Sequence, residues 1–358
     1  MGGVVTMTAM TATCTLTPSG KTFPVQPGET ILEAALRAGI VLPYGCKDGA
    51  CGSCKASLQS GQVDYGDYQK KALSDDERQA GQLLLCKASC TESVTISARV
   101  VAAEGMIPIR KMPCRVASIE RAAPDVAVVK LQLPATENFQ FLAGQYIDIL
   151  LKDGKRRSYS MANAPHDNQQ IELHIRHTPG GAFTDALFGT GTPSINAVKE
   201  KDILRFEGPQ GTFFLREDST RPIVFLASGT GFAPIKAVIE HACFKHIERP
   251  MVLYWGGRRP QDLYMDAMAQ QWAAEMPYFR YIPVISDAQP EDQWTGRTGF
   301  VHQAVMQDFP DLSAHSVYAC GAPIVVQSAQ KDFVSQCGLP QDEFFADAFT
   351  TAADLAKK

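Results

Sequence analysis

Four cysteines carry the clearest chemistry in the sequence. Cys46, Cys51 and Cys54 follow the spacing C-x4-C-x2-C, and Cys86 comes after a long spacer. This is the ligand spacing of a plant-type [2Fe–2S] cluster, in which four thiolates hold two iron atoms. The alternatives are buried free cysteines or a zinc site, but zinc sites usually pair two C-x2-C knuckles and the sequence has one. The spacing therefore predicts a carrier of single electrons.

A glycine loop is the second feature with the chemistry of a binding site. Gly229-Thr230-Gly231-Phe232-Ala233-Pro234 follows an apolar run and precedes a predicted helix. The backbone N–H groups at a helix N-terminus bind phosphate groups. The loop departs from the G-x-G-x-x-G fingerprint of dinucleotide-binding folds. It is therefore either a nucleotide-phosphate site or a tight strand-to-helix turn without a ligand.

The segment Arg157-Ser158-Tyr159-Ser160 combines a guanidinium, an aromatic ring and two hydroxyls. Such a set suits a flavin nucleotide, because the ring can stack, a hydroxyl can bind near N5 and the guanidinium can pair with a pyrophosphate. Downstream, the glycines before Ala182-Phe183-Thr184 open a predicted helix, which would be a second phosphate-binding N-terminus. The alternative for the first segment is an ordinary strand.

The elements that must position these groups change character along the chain. Up to about residue 98, a hairpin, a helix over 29–38 and a short helix after Ser74 predict a small α+β unit. From Cys114 to Arg216 short strands follow one another, which predicts an antiparallel barrel. From Arg221 strands alternate with helices, which predicts a doubly wound parallel sheet.

These changes give predicted domain boundaries. A first domain covers residues 1–99, a barrel domain covers 113–218 and a parallel-sheet domain covers 219–358. Residues 100–112 contain two prolines and no clear periodicity, so they are predicted to be a linker or, alternatively, an edge strand of the first domain. A chain of 358 residues is long enough for two or three domains.

Composition limits the partners and the compartment. The net charge of −4 gives no reason to expect nucleic acid or an anionic membrane as a partner. Apolar runs stay below the ~18 residues of a membrane span, and we see no signal peptide. Six further cysteines are scattered without a disulfide framework. Free thiols beside a cluster fit a reducing environment, so we expect a cytoplasmic protein.

Together, these segments resemble the ferredoxin–NADP reductase superfamily. The plant-type cysteine spacing in front makes the chain similar to the three-cofactor reductase components of bacterial oxygenases. The resemblance implies a β-grasp [2Fe–2S] ferredoxin domain, an FAD-binding barrel and an NAD-binding domain, in that order. The motifs that carry it are Gly144-Gln145-Tyr146, Arg157-Ser158-Tyr159-Ser160, Gly181-Ala182-Phe183-Thr184, Gly208-Pro209-Gln210-Gly211-Thr212-Phe213, Gly229 to Pro234, and Tyr318-Ala319-Cys320-Gly321-Ala322-Pro323.

The resemblance also implies a role for each matching residue. Cys46, Cys51, Cys54 and Cys86 are implied as the cluster ligands. Ser160 is implied next to the reacting atom of the flavin, and Cys320 near C4 of the nicotinamide. Cys320 also suits a small buried hydrophobic position, and Phe349 suits either a flavin contact or the core. The implied FAD positions are Arg157, Ser158, Tyr159, Ser160, His174, Ile175, Arg176, Gly181, Ala182, Phe183, Thr184 and Phe349. The implied nicotinamide-nucleotide positions are Gly229, Thr230, Gly231, Pro234, Arg258, Cys320 and Gly321.

The choice between NADH and NADPH depends on the segment Trp255-Gly256-Gly257-Arg258-Arg259. An acidic residue at the end of the second parallel strand would bind the ribose of NADH. In this sequence Arg258 and Arg259 occupy that position. They could hold the 2′-phosphate of NADPH, stack on adenine or lie in solvent. Similar reductases with this segment mostly prefer NADH, so NADH is the expected donor.

The implied function is electron transfer from NADH through FAD and the [2Fe–2S] cluster to a partner protein. Residues 157–166 and 174–181 look close to reductases of terephthalate-type dioxygenases, so the expected partner is a Rieske-type oxygenase that hydroxylates aromatic rings. A diiron monooxygenase is one alternative. Another is a deoxysugar 3-dehydrase, which would make the chain similar to CDP-6-deoxy-3,4-glucoseen reductases. A redox sensor is a non-enzymatic alternative, but a sensor needs no nicotinamide domain.

Overall fold

The computed structural model describes residues 12–101, 107–167, 169–190 and 197–350. Residues 102–106 of the predicted linker lie outside this part of the chain. The described residues form two compact units, one within residues 12–101 and the other spanning Ile107–Phe349. In the described ranges no helix has both the length and the apolar character that crossing a membrane requires.

The first unit is a five-stranded sheet with a helix packed on it. The sheet order is β2-β1-β5-β3-β4, with β1 and β5 parallel and the other pairs antiparallel. This is the β-grasp arrangement that the sequence predicts. Its elements are β1 (Ala12–Thr17), β2 (Thr22–Val25), α1 (Ile31–Arg37), β3 (Lys55–Ser60), α2 (Asp75–Gln79), β4 (Gln82–Leu84) and β5 (Val94–Ser97).

Capping and burial explain why α1 forms where it does. The Thr30 hydroxyl accepts a hydrogen bond from the Glu33 amide, and the Glu33 carboxylate accepts one from the Thr30 amide. This capping box satisfies backbone donors that the first turn would otherwise leave free. The face formed by Ile31, Leu32, Ala34 and Ala35 is buried against the sheet. α1 thus begins at a fixed residue, next to the segment that carries Cys86.

The second unit begins with an antiparallel barrel whose sheet order is β10-β7-β6-β11-β8-β9. Alternating burial along β6 places Met112, Cys114 and Val116 inside. β6 starts inside the segment assigned to the linker, because Met112 pairs with Phe206 of β11. The elements are β6 (Arg110–Ala123), β7 (Val126–Gln132), β8 (Tyr146–Leu150), β9 (Arg156–Ser160), β10 (Gln170–Arg176), α3 (Ala182–Phe188) and β11 (Ile203–Gln210).

An all-parallel sheet of order β15-β14-β13-β12-β16-β17 completes the second unit. The order reverses at β12, so the crevice at the carboxyl ends of β12 and β16 is the expected ligand position in such a sheet. This confirms the doubly wound prediction. The elements are β12 (Ile223–Ser228), α4 (Phe232–Phe244), β13 (Met251–Gly257), α5 (Asp266–Glu275), β14 (Phe279–Ile285), β15 (Arg297–Thr298), α6 (Val301–Asp308), β16 (Ser316–Gly321), α7 (Pro323–Gln336) and β17 (Phe344–Ala348).

Candidate functional site

The four predicted cluster ligands lie together as two pairs. Cys46 and Cys51 are within hydrogen-bonding reach of one another, and so are Cys54 and Cys86, while Cys51 and Cys54 are close enough to interact electrostatically. Among the described residues, no group of three or more His, Cys, Asp or Glu side chains has the arrangement needed to hold a single metal ion. Two thiol pairs instead match a binuclear cluster, in which each iron takes two thiolates.

Backbone amides converge on the thiol of Cys46. The amides of Asp48, Ala50 and Cys51 all donate to its sulfur, Asp48 from 3.4 Å. The hydrogen bond from Cys51, with these amides, lowers the pKa of Cys46 to about 6. A loop that directs N–H groups at sulfur favours the thiolate form, which is the form that binds iron. The residues therefore fit a [2Fe–2S] cluster.

The backbone around the cysteines depends on specific neighbours. Gly49 has a φ of +74°, and a Cβ there would lie 2.7 Å from the Lys87 side chain, so the loop requires glycine at this position. The Cys86 segment is fixed by the amides of Ile31 and Leu32 at the start of α1, which donate to Ala88 and Leu85 at 2.9 Å. The helix start therefore places the fourth ligand opposite the loop.

The barrel leaves an open seam between its two edge strands. A bridge joins Met161 to Leu173, and beyond it β9 and β10 are not neighbours in the sheet. The backbone groups of Tyr159 and Ser160 on one edge therefore face those of His174 to Arg176 on the other. Edge strands present N–H and C=O groups that the sheet does not use. A flat polar ring such as a flavin fits this seam.

Side chains on the two faces of β9 have different partners. Tyr159 contacts the ring of Phe183, with centroids 5.7 Å apart, and Arg157 lies on the same face of the strand. Ser158 points to the opposite face, where its hydroxyl donates to Asp148 at 2.6 Å. The structure therefore brings Arg157, Tyr159 and Phe183 together and places the Ser158 side chain apart from them.

The turn before α3, which the sequence predicts to bind a phosphate, lies at the predicted position. Gly181 is the N-cap residue and has no side-chain capping bond, and the helix begins at Ala182. A Cβ on Gly181 would lie 2.6 Å from the hydroxyl of Thr184, which itself donates to the Thr178 carbonyl at 2.9 Å. Thr184 thus shapes the turn from inside, and its side chain is not available to bind the phosphate that the sequence predicts here.

Ser160 reaches the parallel sheet through a residue that sequence reasoning missed. Its hydroxyl donates to Oδ2 of Asp347 at 3.1 Å, and both residues are buried. Asp347 lies on β17 directly beside Cys320 on β16. Burial and the Asp347 carboxylate raise the pKa of Cys320 well above its ordinary value, so the thiol is neutral. Ser160, Cys320 and Asp347 therefore meet where the barrel contacts the sheet.

The glycine loop packs directly on the end of β16. A Cβ on Gly231 would lie 2.1 Å from the Cys320 carbonyl oxygen, and one on Gly321 would lie 2.4 Å from the Ser228 carbonyl oxygen. Gly321 also has a φ of +129°, which other residues rarely adopt. Thr230 and Pro234 are also buried in this turn. The loop and the end of β16 therefore pack so closely that neither glycine can be replaced without moving one of them.

The guanidinium of Arg176 lies beside this loop. It is 3.0 Å from the position a Cβ would take on Gly229. Its Nε and Nη2 form ion pairs with Asp125 and Asp262, at 3.2 and 3.6 Å. Arg176 therefore places a positive charge next to the loop, with two carboxylates around it.

The neighbouring β10 residues face elsewhere. Ile175 is buried in the barrel core. The imidazole of His174 binds Tyr264 and Glu172 at 2.8 and 2.9 Å, so its side chain is turned away from the seam. Both residues can line a flavin only through their backbone. Phe349 is half-buried after β17, and its amide donates to Gly321 at 2.8 Å, which places the ring at the same edge as Cys320.

The two arginines after β13 differ in their contacts. Arg259 binds Asp292 through two nitrogens, at 2.6 and 2.7 Å, and Glu291 at 3.1 Å. Arg258 is exposed, and its carbonyl accepts a hydrogen bond from the amide of Asp287. Asp287 follows the end of the third parallel strand, and its carboxylate accepts a hydrogen bond from Gln289 at 2.8 Å. The sequence does not predict a role for Asp287, because the acid that binds a ribose in such folds usually follows the second strand.

Comparison with known proteins agrees with this geometry. Residues 14–91 match a 2Fe-2S iron-sulfur cluster binding domain, residues 113–215 an oxidoreductase FAD-binding domain and residues 225–331 an oxidoreductase NAD-binding domain. The chain is therefore an oxidoreductase that uses FAD, a nicotinamide nucleotide and a [2Fe–2S] cluster.

Curated relatives match along almost the whole chain. The CDP-6-deoxy-L-threo-D-glycero-4-hexulose-3-dehydrase reductase of Yersinia pseudotuberculosis is 44% identical over 93% of this chain and 97% of its own length. Reductase component 1 of terephthalate 1,2-dioxygenase from Comamonas is 38% identical over 92% of this chain and 95% of its own.

A solved structure has the same architecture. The Amycolatopsis cytochrome P450 reductase GcoB is 32% identical and matches with a TM-score of 0.74 over 96% of this chain and all of its own. The matched domains follow one another in the order that the sequence predicts. The chain belongs to the ferredoxin–NADP reductase superfamily, in the group that joins a [2Fe–2S] ferredoxin domain to FAD-binding and NAD-binding domains.

Proposed function

We propose that this chain is the NADH-dependent reductase component of a multicomponent oxygenase, with a Rieske-type dioxygenase as its electron acceptor. The observation that carries the proposal is the meeting of Ser160, Cys320 and Asp347 beside the glycine loop. When bound, FAD exchanges a hydride with the nicotinamide and gives up electrons singly, which the cluster carries onward. The protein groups have to hold the two nucleotides together and keep water out.

The seam and the neutral groups beside it suit that task. In this proposal the facing edges of β9 and β10 hold the flavin ring, Tyr159 covers it and Arg157 pairs with the pyrophosphate. The Ser160 hydroxyl, oriented by Asp347, lies at the reacting edge of the ring. The Cys320 thiol is fully buried and uncharged, so it presents a small apolar surface to the nicotinamide. Such packing excludes water from the transferred hydride.

The contacts of the arginines support NADH as the donor. Asp292 and Glu291 hold Nε and Nη2 of Arg259, so the edge of the guanidinium that would pair bidentately with a 2′-phosphate is already occupied. Asp287 and the exposed Arg258 lie next to one another. A carboxylate there would bind ribose hydroxyls and repel a 2′-phosphate. The proposal therefore assigns ribose recognition to Asp287 and adenine stacking to Arg258.

A deoxysugar 3-dehydrase is the second candidate partner. It is favoured by the 44% identity to the Yersinia dehydrase reductase, which is higher than the 38% to the terephthalate dioxygenase reductase. Both relatives cover more than nine-tenths of the chain, so length does not separate them. An oxygenase partner is favoured by the relatives that are reductase components of terephthalate 1,2-dioxygenase and of phenol 2-monooxygenase.

One experiment separates the two partners. The chain reduced by NADH is mixed anaerobically with a purified Rieske dioxygenase or with a purified deoxysugar 3-dehydrase and its substrate. We expect fast oxidation of the chain by the Rieske protein, seen as bleaching of the Rieske absorption. Turnover only with the dehydrase would replace the oxygenase by the second candidate. Reduction of neither partner, by a chain that NADH does reduce, would contradict both.

A further inference from the structure

A buried lysine connects the glycine-loop helix to the barrel. Lys236 lies in the first turns of α4 and is 5% exposed. Its ammonium contacts the Ala162 carbonyl at 3.0 Å, Glu172 at 3.1 Å and Glu240 at 2.8 Å. An ammonium group has three N–H donors, and each has an acceptor here. Two of the three acceptors, Ala162 and Glu172, belong to the barrel.

A directed chain of hydrogen bonds continues from Glu172. Burial alone would raise the pKa of Glu172, but the hydrogen bond from His174 and the charge of Lys236 lower it to about 2, so it is a carboxylate. Burial lowers the pKa of His174, so its ring is neutral and donates from Nε2 to Glu172 at 2.9 Å. Nδ1 then accepts from the Tyr264 hydroxyl at 2.8 Å, because burial keeps that hydroxyl protonated.

Aromatic packing carries the chain of contacts to the loop. Tyr264 meets the indole of Trp255 edge to face, with centroids 5.3 Å apart. The same indole stacks on Phe232 at 3.9 Å, and its Nε1 donates to the Gly229 carbonyl at 3.0 Å. The contacts thus run without a gap from Lys236 to the first glycine of the nucleotide loop. The guanidinium of Arg176, on the same barrel strand as His174, lies close to that glycine.

We propose that Lys236 is a positioning residue for hydride transfer: through Glu172, His174 and Tyr264 it fixes the glycine loop against barrel strand β10. This inference rests on the proposed function, because β10 is the strand proposed to line the flavin. One strand then sets the position of both nucleotides, since its edge faces the seam and its His174 side chain orients the loop. Hydride transfer needs reacting atoms about 3–3.5 Å apart, so a small shift of the loop slows it.

The energetics of a buried ion pair favour a geometric role. Removing charges from water costs about as much as their attraction returns, so such a pair adds little net stability. Its contacts are directional, however. All three N–H donors of Lys236 have an acceptor when α4 lies against the barrel in the observed position. Removing Lys236 leaves the Glu172 and Glu240 carboxylates without their partner, so we expect Lys236→Ala to lower the free energy of unfolding as well as to shift the loop.

A cavity beside Lys236 allows the role to be tested by chemical rescue. The cavity has a volume of ≈ 560 Å³, and its walls include Lys236, Glu172, Glu240 and Phe244. Phe244 is 55% exposed, so the cavity reaches the protein surface. A small alkylammonium ion is of a size to enter it and to replace the lost ammonium between the two carboxylates.

The test compares Lys236→Ala with Lys245→Ala, an exposed lysine at the end of the same helix. For Lys236→Ala we expect reduction of bound FAD by saturating NADH to be about 10- to 100-fold slower, with unchanged FAD content. Ethylammonium chloride should restore part of the rate, whereas potassium chloride at equal ionic strength should not. In the flavin-free protein, amide exchange of residues 228–232 should become faster. Lys245→Ala should match the wild type in every assay.

Other outcomes would overturn the proposal. Wild-type rate and exchange in Lys236→Ala would show that the loop is held without the lysine. A slow rate with unchanged loop exchange and no rescue would assign Lys236 some other role. If Lys236→Ala does not fold, Tyr264→Phe breaks the same chain of contacts while keeping the ring, and an unchanged rate there would overturn the proposal. If NADH fails to reduce the wild-type flavin, the proposed function fails instead.

Discussion

The chemistry of this chain rests on buried polar residues whose partners come from distant parts of the sequence. Ser160 at the end of β9 donates to Asp347 on β17, and the two thiol pairs draw on a loop and a separate strand end. The spacing of the cysteines singled out the thiols as candidate ligands, and the segment from Arg157 to Ser160 singled out the Ser160 hydroxyl as a candidate site group. Asp347 had no local signal, because its role depends on a contact 187 residues away.

At this scale the first prediction concerns the Ser160 hydroxyl. Replacing Ser160 by Ala removes the hydrogen bond to Asp347 and the proposed contact with the flavin edge. We expect about fivefold slower flavin reduction at saturating NADH, because one hydrogen bond contributes about 1 kcal/mol. Anaerobic stopped-flow absorption measures the rate, and flavin content measures binding. An unchanged rate would remove Ser160 from the reacting edge.

The second prediction concerns the cluster ligands. Cys51→Ser removes one thiolate of the pair formed with Cys46, so the cluster should be lost or altered. We expect the iron–sulfur absorption and the reduction of a one-electron protein acceptor to disappear. Ferricyanide reduction at the flavin should remain. Cys243→Ser, which lies on α4 outside the cluster, is the control and should keep the iron content of the wild type. A fully active Cys51→Ser protein would contradict the ligand assignment.

At the scale of the elements, the candidate site residues lie where strands end. The glycine loop follows β12, Cys320 and Gly321 end β16, Phe349 follows β17, and Asp287 follows β14. The sequence predicted the alternation of strands with helices after Arg221, and β12 to β17 confirm it. β3 was missed because its residues are mostly polar and half-exposed, so the alternation that marks a strand is weak. The beginning of β6 was hidden in a proline-containing segment.

The glycine loop gives the third prediction. A methyl group on Gly231 would overlap the Cys320 carbonyl, so Gly231→Ala has to push the loop away from β16. Overpacking of this kind costs about 1–3 kcal/mol, so we expect the KM for NADH to rise by about tenfold or more. Steady-state kinetics and FAD content test this. An unchanged KM would show that the nucleotide does not depend on the contact between loop and β16.

The fourth prediction concerns nucleotide choice. The double variant Glu291→Gln and Asp292→Asn removes both carboxylates that hold Arg259. The freed guanidinium can then bind a 2′-phosphate, and such a charge-assisted bond contributes about 1.5–3 kcal/mol. We expect kcat/KM for NADPH to rise by about tenfold or more, with a smaller change for NADH. A wild-type protein with a higher kcat/KM for NADPH than for NADH would contradict the proposal that NADH is the donor.

On the scale of the whole molecule, the chain combines three chemical tasks in one polypeptide. The sequence predicted the three folds and their order from periodicity and motif spacing, and the family matches agree with them. It could not predict how the barrel meets the parallel sheet. That junction depends on buried groups such as Lys236, Glu172 and His174, which look like ordinary helix and strand residues in the sequence. Only their burial in the fold shows what they do.

The central claim is that electrons from NADH pass through the flavin to the cluster within one chain. The most direct test is an anaerobic titration of the purified protein with NADH, followed by absorption and by electron paramagnetic resonance at low temperature. The account predicts that flavin and iron–sulfur absorption both bleach and that the signal of a reduced [2Fe–2S] cluster appears. A flavin that is fully reduced beside a cluster that stays oxidised would contradict it.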